Sequence, residues 1–311
     1  MEKLARTFTI RAFTTNSDYD MNFHPQSFKT KSYWVYALWS VDSVKTFIAV
    51  VGGVWTVADI FDSYKLIDKR ALPFYSIILL LLLGLIVVIV TRRPVKKIVY
   101  KYPGQDLKIE VRIDGLFRVA GQKVISTNTT FDTDISNGII SLNSLQGQFT
   151  QKFYPGELQK LDSELNRGLA GLPYTIVQKQ EGKKDRYELG TTVKLKLADQ
   201  YFYWFAMSDL NNNNNAKTTL KNVNQALDGL WNYIETKGEK ADTVMPVIGS
   251  GLGRLTTSRK KLIAIIAQSF INASENQIFS NKLIIVVHPN DVEKSGINLF
   301  EVKDLLQQYL P

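Results

Sequence analysis

The sequence predicts an α/β domain with a mixed sheet, preceded by a two-helix transmembrane hairpin. Three observations carry that prediction. Residues 71–91 run for 21 positions without a charge. From about residue 100 onward, strand-like alternation and helix-like spacing interleave, the pattern of a layered α/β fold. At 244–259 an apolar strand pattern runs into a glycine-rich turn and then into a helical pattern.

Residues 1–30 are of mixed charge and read as a cytoplasmic lead-in. The first apolar stretch, 46–61, is interrupted only by Asp59 and has Asp42 and Lys45 upstream. It reads either as a membrane helix whose small and polar residues face another helix, or as an amphipathic helix lying in the interface. The second stretch, 71–91, spans roughly 31 Å as a helix, which matches the hydrocarbon core. Pro73 falls in its first turn, where a missing N–H costs little. The short connection at 62–71 makes a hairpin the economical topology.

Arg92, Arg93, Lys96, Lys97 and Lys101 follow the second stretch, and Lys29, Lys31 and Lys45 precede the first. Lys65, Lys69 and Arg70 lie in the connection. The larger cluster places both termini in the cytoplasm by the positive-inside rule. The apolar run begins too late for a cleavable signal peptide.

In the remainder, 106–113, 122–126, 187–197, 201–207, 241–248 and 282–288 read as strands, with a hairpin turn at 198–200. Helices are expected at 155–168, 216–237, 256–273 and 299–310. The five asparagines at 211–215 read as a loop, with Asn215 or a neighbour capping the helix after it. Trp204 and Tyr203 sit in an apolar strand and are expected in the core. His288 is expected at a strand end rather than in catalysis.

Composition narrows the chemistry. The chain has no cysteine and two histidines, which removes thiol nucleophiles, disulfides and cysteine-held metal. No metal site and no catalytic residue is predicted. The net charge of +9 lies largely beside the apolar segments, where it would meet anionic headgroups. No nucleic-acid motif accompanies it.

The segment 244–259 reads VMPVIGSGLGRLTTSR. Gly249, Ser250, Gly251, Leu252 and Gly253 bring backbone N–H groups close to an anion, and the helix N-terminus adds favourable partial charge. Arg254 would supply the counter-charge. Read alone, the segment is either such an anion loop or a plain tight turn. It has neither Walker nor Rossmann spacing. A second segment, 114–134, ends an apolar strand in Ser126-Thr127-Asn128, a polar cluster at a carboxyl edge where α/β proteins bind ligands.

Together these segments resemble the macro domain, an ADP-ribose-binding α/β/α sandwich with a mixed sheet. In that family an aspartate after the first strand contacts adenine, and an asparagine 14 residues later contacts the distal ribose. Asp114 and Asn128 have that separation here. Pro246, Gly249, Gly251 and Gly253 resemble the family's second phosphate loop. There are departures. The usual Asn-Ala-Ala-Asn reads Ile125-Ser126-Thr127-Asn128, and the triple-glycine loop is replaced by a stretch containing Ser144-Leu145-Gln146-Gly147-Gln148-Phe149. The paired glutamates of glycohydrolase-type members are missing there.

With the hairpin, the order of motifs resembles the membrane-anchored macro-domain effectors of type II Thoeris antiphage defence. That resemblance implies three parts: a cytoplasmic segment at 1–32, a transmembrane hairpin at 33–93, and a macro-like domain binding an ADP-ribose derivative at 94–311. It implies a non-enzymatic receptor in the bacterial inner membrane, multi-pass with two helices. A partner TIR-domain enzyme would make its signal, histidine-ADP-ribose or a related ADP-ribose derivative. Binding would drive homo-oligomerisation among membrane lipid, membrane disruption and abortive infection. Gly249–Arg254 would hold the pyrophosphate, Asp114 the adenine, and Asn128 with Asp132 the distal ribose and its substituent. Two other readings stand beside it. One is a membrane-anchored ADP-ribosyl hydrolase using Asp132 or Asp134. The other is a structural anchor whose soluble domain binds a protein.

Overall fold

The computed structural model describes residues 25–210, 216–248, 255 and 257–310. A short helix α1 (Lys31–Trp39) leads into α2 (Val41–Ser63) and α3 (Tyr75–Thr91), which pack on one another as a hairpin. Their seam is a notch at Gly84. A Cβ there would lie 2.9 Å from the Phe47 ring, so the absent side chain is what lets the two helices close.

Ionic groups sit at the ends of this hairpin. Asp42 pairs with Arg92 at 3.3 Å at the base, and Lys69 pairs with Asp59 and Asp62 at the tip. Between them the outer surface is apolar and exposed, including Ile48, Val57, Leu79, Leu82 and Ile86.

The helix boundaries differ from those expected. α2 is longer than 46–61, because Ser40 caps it upstream by accepting a bond from the Ser43 N–H. α3 begins at Tyr75 rather than at residue 71. A residue before proline is pushed out of the α region, and Leu72 is extended at ψ 128°. The preceding Lys69–Ala71 forms a separate 3-10 turn, capped by Asp68. α3 therefore measures about 26 Å and α2 about 34 Å. Among the described residues, one helix, α2, is both long and apolar enough to cross a membrane by length and composition.

The rest is a three-layer sandwich. Strand β1 (Lys97–Lys101) is followed by β2 (Lys108–Ile113), β3 (Gln122–Asn128), α4 (Leu145–Phe153) and α5 (Leu158–Leu169). A small hairpin, β4 (Thr175–Ile176) and β5 (Asp185–Arg186), precedes β6 (Thr192–Leu197), β7 (Gln200–Leu210) and β8 (Ala216–Lys217). Then come α6 (Leu220–Lys237), β9 (Thr243–Pro246), α7 (Arg259–Ser274), β10 (Lys282–Val287), α8 (Pro289–Ser295) and α9 (Leu299–Tyr309). The main sheet runs β1-β2-β10-β9-β3-β7-β6, with β8 paired to the end of β7. β2, β10, β9, β3 and β7 are mutually parallel, and β1 and β6 are antiparallel edges, so the sheet is mixed as expected.

The parallel strands are buried on both faces, which is why β10 reads as a continuous apolar run. One face packs Tyr203, Phe205, Met245 and Ile285 against Leu230, Trp231, Ile266, Phe270 and Val302 of α6, α7 and α9. The other packs Phe202, Trp204 and Val193 against Phe149, Leu161 and Leu165 of α4 and α5.

Several element boundaries move. The strand expected at 187–197 begins only at Thr192. Gly190, at φ +88°, turns the chain where its Cα would meet any Cβ on Gly229 of α6. α6 starts at Leu220, because 216–217 pair with β7, and its cap is Thr219 rather than Asn215. The 211–215 run lies outside the described residues, as do residues 1–24. Elements α1, β1, α4, α8 and the β4–β5 hairpin were not anticipated.

Candidate functional site

Because five strands are parallel, their carboxyl ends share one edge of the sheet. Asp114 follows β2, His288 follows β10, residues 249–254 follow β9, and Asn128 ends β3. Along that edge Asp114 and Asn128 are separated by three strand spacings, about 14 Å. The glycine-rich connection leaves from the strand beside β3. Gly249, Ser250, Gly251, Leu252, Gly253 and Arg254 themselves lie outside the described residues. The topology brings Asp114, Asn128 and the start of that loop to one edge.

Asp114 is oriented before any ligand arrives. Its Oδ1 accepts from the Gly115 N–H at 2.8 Å and its Oδ2 from Arg112 at 3.0 Å, and its own N–H donates to Val287 at 3.1 Å. The side chain keeps 26% of its surface exposed.

Asn128 sits at a bulge. The register of β3 on β7 shifts between Thr127, opposite Ala206, and Asn128, opposite Ser208. A bulge at a strand end re-aims the side chain. Asn128 Oδ1 then accepts from the backbone N–H groups of Thr130 and Asp132, each at 3.1 Å. Those bonds fold residues 128–132 into a tight turn in which Phe131 adopts φ +51°. Phe131 is fully buried against Tyr187, which holds that conformation in place.

Asp132 is 1% exposed on its side chain, and both of its oxygens are engaged. Oδ2 accepts from Lys179 at 2.6 Å and from the Thr130 hydroxyl at 2.5 Å, and Oδ1 accepts from the Lys183 N–H at 2.6 Å. Its carbonyl accepts from Gln146, which in turn accepts from Thr127 at 3.2 Å. The structure thus gives Asp132 an anchoring part: it ties the loop between β4 and β5 to the end of β3.

Asp134, two residues on, is held by Ser136 and Asn137. The Ser136 hydroxyl, foremost, keeps its carboxyl below the ordinary aspartate range.

The stretch 144–149 is the start of α4, capped by Ser144, whose hydroxyl accepts from the Gly147 N–H at 3.0 Å. Arg259 at the start of α7 pairs with Asp291 of α8 at 3.1 Å, and Lys260 pairs with Glu301 of α9 at 2.5 Å. A cleft of about 210 Å³ opens there, lined by Leu255, Ser258, Arg259 and Ser295 among others. His288 caps α8, its Nδ1 accepting from Asn290 at 3.3 Å, and Trp204 and Tyr203 are fully buried, all as expected.

Sequence reasoning missed Thr130, Gln146 and Lys179. Lys179 lies in a charged, turn-like stretch with no pattern of its own, and its partner Asp132 is 47 residues away.

A mixed sheet between two helical layers, with polar residues gathered at the carboxyl edge, defines this as a macro-type α/β/α domain. The family model described as "Thoeris protein ThsA, Macro domain" matches residues 109–288. The chain belongs to that family. It is 26% identical over 268 residues to the Thoeris protein ThsA of Bacillus amyloliquefaciens (strain Y2), covering 83% of this chain and 87% of the relative. Among solved structures it is similar to a mutant Oceanobacillus iheyensis macrodomain, with a TM-score of 0.45 at 13% identity, covering 68% of this chain and 98% of the other. It is also similar to the Oceanobacillus iheyensis macrodomain with ADP, with a TM-score of 0.44 at 14% identity, covering 68% and 96%.

Proposed function

We propose that this chain is a membrane-anchored antiphage receptor. Its macro domain binds an ADP-ribose-derived signal from a TIR-domain enzyme, with histidine-linked ADP-ribose as the leading candidate. Ligand binding favours a self-associated state that disrupts the bacterial inner membrane and ends the infected cell. Both helices of the hairpin cross the bilayer, and both termini are cytoplasmic.

One observation carries this reading: the hairpin leaves the macro domain at the ligand edge. β1 runs antiparallel to β2, so its first residue, Lys97, lies opposite Arg112, and the Ile113 N–H donates to Lys96 at 2.8 Å. The base of α3 therefore enters the domain beside Asp114. There it is braced by Arg92, which pairs with Asp42 and stacks 5.6 Å over Phe300, and by a hydrogen bond from Tyr36 to Asp304 of α9. A ligand can shift an assembly equilibrium only by binding one state better. A site next to the hairpin base is well placed to sense which state is present.

Binding is favoured over hydrolysis because both Asp132 oxygens are already engaged and the Asp134 carboxyl, held below its ordinary range by Ser136, is not kept protonated as a general acid would be.

The test is dye leakage from vesicles of phosphatidylethanolamine and phosphatidylglycerol carrying the full-length chain. Histidine-linked ADP-ribose should release the dye, and Asn128→Ala should abolish release. Ligand binding without leakage would leave a receptor with a different output. Conversion of the ligand to free ADP-ribose would favour the hydrolase.

A further inference from the structure

Helix α1 lacks the polar side of a surface helix. Apart from Lys31 and Ser32, its residues are apolar or aromatic throughout. A helix of that composition is usually covered on every side. One side of α1 packs on the rest of the chain. Tyr33 and Ala37 are buried there, the Tyr33 ring meets Phe28 edge-on with centroids 5.0 Å apart, and the Tyr36 hydroxyl donates to Asp304 of α9. The corner between α8 and α9 also comes close, because a Cβ on Gly296 would lie 3.1 Å from the Ser32 hydroxyl oxygen. The other side is bare. Lys31, Trp34, Val35, Leu38 and Trp39 share it at helical spacing, with Val35 51% and Trp39 77% exposed. The Trp34 ring N–H is already given to the Phe28 carbonyl at 2.8 Å, so its ring adds apolar surface to that side.

Two features point to what covers the bare side. Ser40 alone separates α1 from α2, so the exposed surface runs on through Val41 to the apolar outside of the hairpin. Exposed aromatic residues also gather at both ends of α2, Trp34 and Trp39 at the base and Tyr64, Phe74 and Tyr75 at the tip. The two groups are separated by the length of α2, about 34 Å, which brackets a hydrocarbon core of about 30 Å. Tryptophan and tyrosine favour the two membrane–water boundaries, where one part of the ring is dry and the other wet. Lys29, Lys31 and Lys45 are exposed around the base. A second copy seated on this side by two-fold symmetry would gather like cations on one patch, whereas anionic headgroups would neutralise them.

We infer that α1 is an interfacial helix, its bare side lying in the boundary between headgroups and acyl chains of the cytoplasmic leaflet. Trp39 and Val35 sit in that boundary, and Lys31 extends its ammonium to the lipid phosphates. The macro domain then rests on the bilayer through α1, which holds Asp304 and the Gly296 corner on its inner side. Helix α1 thereby sets the height and tilt of the domain over the membrane. This placement rests on the membrane anchoring of the proposed function, and adds to it a lipid-facing surface outside the two spanning helices.

The experiment reads tryptophan fluorescence of the full-length chain in vesicles of phosphatidylethanolamine and phosphatidylglycerol. Some acyl chains carry bromine, a quencher of indole, placed either next to the headgroup or near the acyl end. The chain has five tryptophans, and Trp204 and Trp231 are buried in the macro domain. The Trp55→Phe variant therefore reports Trp34 and Trp39 of α1, and the Trp34→Phe/Trp39→Phe variant reports Trp55 of α2. In Trp55→Phe, bromine next to the headgroup should quench at least about twofold more than bromine near the acyl end. Equal or stronger quenching from the acyl end would put α1 within the span and overturn the inference. Quenching of the Trp34→Phe/Trp39→Phe variant alone would leave the hairpin in the bilayer and α1 outside it, overturning this inference and not the anchoring. No quenching of either variant would overturn the anchoring and this inference together.

Discussion

Helices α3 and α7 are both apolar and of nearly equal length, yet they end in opposite environments. In α7, Ile263, Ile266 and Phe270 are fully buried between the sheet and its neighbours. In α3, Leu79, Leu82 and Ile86 each keep about half of their surface exposed, and only Gly84 and Val88 are buried. The difference lies in the face pattern. α7 interleaves Lys260, Lys261, Gln268 and Asn272 with its apolar residues, so one side must face water. α3 is apolar on every side, and its neighbour α2 covers only one of them. Among the described residues little else covers the remaining sides of α3, so its apolar surface stays exposed.

The largest effect is expected in the core. Phe270→Ala should cost about 3–5 kcal/mol in urea unfolding of the macro domain, whereas Leu82→Ala in the hairpin should leave that transition unmoved. An equal loss from both would mean that α3 packs against the domain. A smaller effect is expected at the one seam the hairpin owns. Gly84→Ile drives a side chain into Phe47 and should separate α2 from α3 at a cost of about 1–3 kcal/mol, read as loss of a disulfide engineered across the two helices.

A charge set inside the core behaves differently from the surface lysines of α7. Lys123 is fully buried at the start of β3, 5.6 Å over Phe202, and burial, with the nearby Lys152 charge second, pushes its pKa below the ordinary lysine value. A cation whose folded pKa is lowered opposes folding while it is protonated. That penalty is lifted as the pH rises from the folded pKa through the unfolded one. Stability should therefore show a rise in the alkaline limb that Lys123→Met removes, with the variant melting higher at neutral pH. The smallest effect should come from Asp42→Asn, which removes a partly exposed pair with Arg92 and should change stability by less than about 1 kcal/mol. Its informative readout is leakage, not melting.

What the sequence made legible follows the same division. Alternation up to Leu197, the apolar run at 201–207 and the turn at Ala198, which takes φ +50°, mark the β6–β7 hairpin because each signal is local. Continuous apolar runs mark β10 and α3 for the same reason. α4 escaped because its apolar stripe is only Leu145, Phe149 and Phe153, separated by polar residues and glycine. β1 escaped because KIVYK reads as a basic flank until its pairing with β2 is known. The start of α3 was misplaced because one proline moved it.

At the site, Asn128 is legible as a polar residue ending an apolar strand and Asp114 through the family resemblance and its spacing from Asn128, and the structure puts both at one edge. Asp132 was legible as a residue near Asn128, but its engagement by Lys179 and by the Lys183 N–H was not. Those contacts come from a hairpin with two-residue strands, and contacts that distant leave no local pattern to read.

The proposed function requires this edge to receive an ADP-ribose-derived ligand. Its most direct test is calorimetric titration of the full-length chain in lipid nanodiscs with histidine-linked ADP-ribose, beside Asn128→Ala and Arg254→Ala. The account predicts saturable binding by the wild type, weakened by about tenfold or more in each variant. A folded chain that gives no heat with this ligand or with ADP-ribose, or variants that bind as the wild type does, would contradict it.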